Sequence, residues 1–108
     1  MYEIKKKTRT VCGKPVTTWE REVIGANTMG VEAGTNGYKG GDFGHGSRTY
    51  IRICCDGGDI EVNVLKDRTG YTEGVEIILG GDSELSTMID SLKFAVKALE
   101  DGANGNIE

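Results

Sequence analysis

The residues with most chemical possibility lie together in GTNGYKGGDFGHGSRTY, residues 34 to 50. Six of the fourteen residues from Gly34 to Ser47 are glycine, the chain's single histidine and two aromatics stand among them, and Arg48 follows. Ordering so much glycine costs backbone entropy. In return, the backbone can come close to a ligand and its N–H groups can converge on an anion as a phosphate nest. Tyr38 and Phe43 suit stacking on a base. Lys39, His45 and Arg48 offer positive charge or donors to phosphate, while Asp42 and Asn36 suit ribose hydroxyls or base edges. With Thr35, Gly37, Gly41 and Ser47, these residues form the expected ligand-binding set.

Named phosphate loops do not match. No Gly-Lys-Ser/Thr occurs, as a P-loop requires, and GDFGHG reverses the dinucleotide spacing with no helix after it. GGDSE at 80–84 has the look of a cyclase signature, but GGD also occurs at 40–42 and 57–59, so repetition explains it. A long plain connection between strands is the ordinary alternative for the whole stretch. His45 as a general base would need a positioned partner, and Asp42 three residues earlier fixes no geometry. No catalytic set, metal site or cofactor is expected, so the residues favour capture over turnover.

These residues must be held by a small domain. The chain has 108 residues, 37% hydrophobic, and a formal net charge of −4. The thin core invites association, so a homo-oligomer is expected. The acidic balance argues against general nucleic-acid binding. Lys5, Lys6, Lys7 and Arg9 read as the guard of an edge strand, with a phosphate-binding arm as the alternative. Cys12, Cys54 and Cys55 are odd in number and lack zinc spacing, which points to reduced thiols. No apolar run is long enough to span a bilayer and no signal peptide is evident, so no membrane partner is expected and a cytoplasmic location is.

The expected fold is α+β: an antiparallel meander of four or five strands under one long C-terminal helix. Residues 2–12 read as a strand ending at Gly13-Lys14-Pro15. Residues 16–24 read as its return, or as a short helix from the Thr17/Glu20 capping-box spacing. Residues 28–33 read as a further short strand. In RTYIRICC, Thr49, Ile51, Ile53 and Cys55 share one face; Ile60, Val62 and Val64 alternate likewise in IEVNVLK, each with one face buried. Asp56-Gly57-Gly58-Asp59 between them reads as a hairpin turn, and VEIILGG follows the polar loop 67–74 as another strand.

Residues 83–101 read as the helix, capped by Asp82 or Ser83 and stopped at Gly102. Leu85, Met88, Ile89, Leu92, Val96 and Leu99 form the face expected against the sheet. Thr87, Ser91, Phe94 and Ala98 fall on the other side, as a small-residue seam expected at a subunit interface. The domain is expected to span residues 1–101, with 102–108 as a flexible tail.

The stretch GTNGYKGGDFGHGSRTYIRI and the segment GGDSELSTMIDSLKFAVKAL together resemble small proteins of phages and bacterial mobile elements. The strands-then-helix layout is similar to the Thoeris anti-defence sponges, which sequester cyclic ADP-ribose variants or cyclic dinucleotides made by host defence enzymes. That resemblance implies an oligomer that captures a small signalling nucleotide without catalysis in an infected or lysogenic bacterial host. The alternatives are a protein-binding inhibitor of a host defence protein such as a nuclease, and a phosphodiesterase using His45 and Arg48.

Overall fold

The computed structural model describes residues 4–25, 27–37 and 47–104. Its elements run β1 (Lys5–Val11), β2 (Lys14–Ile24), β3 (Thr28–Thr35), β4 (Thr49–Asp56), β5 (Ile60–Lys66), β6 (Thr72–Leu79) and α1 (Asp82–Asn104). The first four strands form an antiparallel meander in sequence order, and β5 with β6 forms a separate two-stranded sheet. The fold is α+β, as expected, with the helix packed on the meander. Residues 16–24 are strand. β1 and β2 join through Cys12 and Gly13, at φ of 50° and 80°, the two positive-φ positions that a tight hairpin requires.

The Asp56–Asp59 segment departs from the hairpin reading. Only Gly57 takes positive φ, at 79°. A type I′ turn needs both central residues there. A side chain at Gly58 would meet Cys55 Sγ at 2.6 Å, so this segment is a packed corner that turns the chain out of the meander. The apolar faces of the next two strands then find no cover among the described residues: Val62, Val64, Val75 and Ile77 are each about half exposed. The buried face expected for β5 is therefore open.

The helix is seated the other way round from the expectation. Thr87, Ser91, Ala95 and Ala98 are buried, and Ala95 and Ala98 join Val23, Val31 and Ala33 in the core. Trp19, Ile53, Phe94 and Leu99 pack around that cluster. Leu85, Ile89, Leu92 and Val96 are 43–54% exposed, leaving only Met88 and Leu99 of the expected face near the sheet. The small seam at 87, 91, 94 and 98 does let two backbones approach closely, but the neighbour is the chain's own β3, so those side chains are already covered.

A buried polar set fixes the helix start. Asn27, 4% exposed, accepts from Ser83 Oγ at 3.0 Å and donates to Thr87 Oγ1 at 3.3 Å. Ser83 is thus occupied as an anchor. Gly81 caps the helix instead, accepting the Leu85 N–H at 3.2 Å. At the far end the helix continues through a buried Gly102 to Asn104, so the segment expected as tail begins in helix; residues 105–108 lie outside those described.

The seating makes two opposite forecasts for neighbouring helix positions. Ser91 Oγ is buried without a hydrogen-bond partner. Ser91→Ala should leave stability unchanged or raise it by up to about 1 kcal/mol. Ala95→Leu should overpack the contact and cost about 2 kcal/mol, both read from urea midpoints.

Candidate functional site

The sheet has two unlike faces because strand side chains alternate. Trp19, Val23, Met29, Val31, Ala33 and Ile53 face the helix. On the outer face the register sets Lys5, Glu20, Glu32 and Arg52 side by side across all four strands. A neighbouring outer position is Gly30, where an added Cβ would meet nothing within 4 Å. The result is a concave groove of about 600 Å³ lined by Lys5, Lys7, Glu20, Glu32, Arg52 and Asp56 among others.

Glu32 organises this face. Its carboxylate is 1% exposed, a position an unpaired charge could not hold. Arg9 reaches it from β1 with a two-pronged contact, Nε to Oε2 at 2.8 Å and Nη2 to Oε1 at 2.6 Å. Thr18 Oγ1 donates to Oε2 at 2.5 Å. The Arg9 bond, opposed by burial and helped by Thr18, holds the carboxyl below its ordinary value of 4.5. The guanidinium also lies over the Tyr50 ring, 5.2 Å from its centre. Glu20, beside Glu32 in the register, is taken separately by Lys7 at 2.8 Å. Both central carboxylates are thereby neutralised. Lys5 and Arg52, at the two ends of the row, have no ion pair among the described residues.

Of the expected ligand set, Tyr38, Lys39, Gly41, Asp42, Phe43 and His45 lie outside the described residues. Thr35, Asn36, Gly37, Ser47 and Arg48 form the neck from which that segment leaves the sheet. Asn36 closes it: its backbone N–H donates to Arg48 O at 3.2 Å, and its Oδ1 accepts the Arg48 N–H at 2.7 Å. Its Nδ2 donates to Pro15 O at 3.4 Å. Thr35 Oγ1 lies 2.9 Å from Thr49 Oγ1 and accepts the Gly37 N–H at 3.1 Å. Asn36 and Thr35 therefore serve the junction. Gly34, just before it, is required by close approach, since a Cβ there would fall on the Thr17 backbone.

Arg9, Glu32 and Tyr50 were missed as site residues. The signal was a lone carboxylate in TMGVEAGT, a strand otherwise built of small and apolar residues, which demands a cation from a neighbouring strand. A second cleft, of about 870 Å³, lies between α1 and β2 with Trp19 and Phe94 inside and Asp90, Lys93, Lys97 and Asp101 among its lining. No cluster of metal-ligating side chains occurs among the described residues. No helix among them is long and apolar enough to cross a membrane.

No family model, curated protein or solved structure matches the chain.

The Glu32 arrangement has a signed pH signature. A carboxylate with a depressed folded value stabilises the fold fully above its unfolded value and loses that contribution as pH falls through the folded one. Glu32→Gln should cost about 1–2 kcal/mol at pH 7. The gap from the unsubstituted protein should narrow as pH falls below the ordinary carboxyl value of 4.5, as read by urea unfolding at several pH values. A gap that stays constant with pH would refute the assignment.

Proposed function

We propose that the chain captures a small phosphate-bearing nucleotide on the outer face of the four-stranded sheet and releases it chemically unchanged. The observation that carries this reading is the charge row. Lys5 and Arg52 stand three strand spacings apart, roughly 14 Å, while the acids between them are already balanced by Lys7 and Arg9. Such a row suits a ligand with two separated negative charges, which the two phosphodiesters on opposite sides of a cyclic dinucleotide's ring supply. The open floor at Gly30 leaves room for it, and Glu22 and Asp56 at the groove suit ribose hydroxyls.

Tyr38 and Phe43 are the rings expected to stack, with Lys39 and His45 as further donors to phosphate, in the segment between Gly37 and Ser47 that lies outside the described residues. Its neck adjoins Tyr50, whose ring is already paired with Arg9. The setting is the one the sponge resemblance implies: sequestration of a host defence signal in the bacterial cytoplasm, without a cofactor.

The test is a depletion assay. The purified protein is incubated with a panel of cyclic dinucleotides and ADP-ribose derivatives, separated from free ligand, then heated and its released contents identified. At least one member should be depleted and return intact. Arg52→Gln should weaken that capture by at least roughly tenfold. Gly30→Phe should block it with the fold retained, because the position is open and its φ is not positive. Depletion of no panel member would sink the reading, and return of a cleaved product would replace capture with turnover.

A further inference from the structure

Among the described residues, two apolar faces are left without cover. One is the outward stripe of α1: Leu85, Ile89, Leu92 and Val96. The other is one side of the β5–β6 hairpin, where the pairs Ile60–Leu79, Val62–Ile77 and Val64–Val75 stack along the ladder. An isolated two-stranded hairpin is at best marginally stable in water, and needs further strands or a helix against its apolar side. Here β5 and β6 pair with each other and share no extensive contact with the other elements among the described residues.

The molecule is correspondingly flat, 45 × 43 × 18 Å, with a radius of gyration of 15.3 Å. A compact domain of this length has about 13 Å. The base of the hairpin is closed on itself and tied to the start of the helix. Gly80 N–H donates to Asp59 O at 3.0 Å, and Asp59 N–H donates to Glu84 Oε2 at 3.1 Å.

We infer that the occupant of each face is the other face on a second copy of this chain. In the dimer, the hairpin of each protomer lies with its apolar side on the α1 stripe of its partner. Two observations favour a second copy over a foreign protein. The chain supplies a helix stripe and a sheet face, the two halves of a helix-on-sheet layer. The area also closes: each face offers on the order of 300 Å², so reciprocal exchange covers about 1,200 Å², past the roughly 1,000 Å² of a specific interface. A two-fold axis gives that doubling without further contacts. Ile51, 54% exposed on the helix side of β4, lies at the sheet's free edge and extends the receiving surface. The inference is independent of the nucleotide reading, since none of these residues lines the groove.

Sedimentation equilibrium of the full chain at about 100 μM tests it, with Val64→Glu and Leu92→Glu as variants. Both side chains are half exposed in the single chain, so each variant should keep its far-UV circular dichroism; Val75→Glu and Ile89→Glu stand in for either that does not. The unsubstituted chain should sediment as a dimer, and each variant should dissociate at least roughly tenfold more readily. A photo-crosslinking residue at position 64 should attach to the helix segment 85–96 of the other copy. A monomer at this concentration would overturn the inference. So would a dimer indifferent to Val64→Glu, or crosslinks confined to hairpin on hairpin.

Discussion

The contact of α1 with β3 constrains everything else in this protein. Thr87, Ser91, Ala95 and Ala98 bring the helix backbone close to Val31 and Ala33, and small side chains are what make that distance possible. Once the small face is inward, the large one must go elsewhere. Leu85, Ile89, Leu92 and Val96 are therefore presented outward, as the stripe on which the proposed second copy would dock. The buried set of Asn27, Ser83 and Thr87 fixes this seating, because rotating the helix would strand those polar groups without partners.

The same constraint gives the sheet its second face. A single helix covers one side of the meander, which leaves the other side free to carry charge. Glu32 occupies the middle of that side and is tolerated there only because Arg9 and Thr18 satisfy it. Its neutralisation leaves Lys5 and Arg52 as the cations at the ends of the row. The basic N-terminal strand thus does more than guard an edge: Lys7 and Arg9 balance acids on β2 and β3, and Lys5 faces the groove.

Much of the fold was legible from local signals. Alternation in RTYIRICC and the long periodic helix both identify their elements correctly, since those patterns reflect backbone geometry. The helix's rotation was not legible, because hydrophobicity assigns the largest apolar stripe to the nearest sheet. That rule fails where the chain has two apolar faces and the smaller side chains pack better. The Gly57-Gly58 pair misled for a related reason: glycine permits a tight hairpin but equally permits the crowded corner against Cys55 and Asn27. The ligand set was read from composition in one stretch. The outer-face row depends on register across four strands, which no local window contains. The one local clue, Glu32 as a charge in a strand otherwise small and apolar, was missed.

The seating of α1 is tested most directly by methyl NOE spectroscopy of the labelled chain. Cross-peaks should link the methyls of Ala95 and Ala98 to those of Val31 and Ala33, and Leu92 and Val96 should show none to that pair. Strong contacts from Leu92 and Val96 to Val31, with Ala95 free of them, would place the large stripe inward and contradict the account.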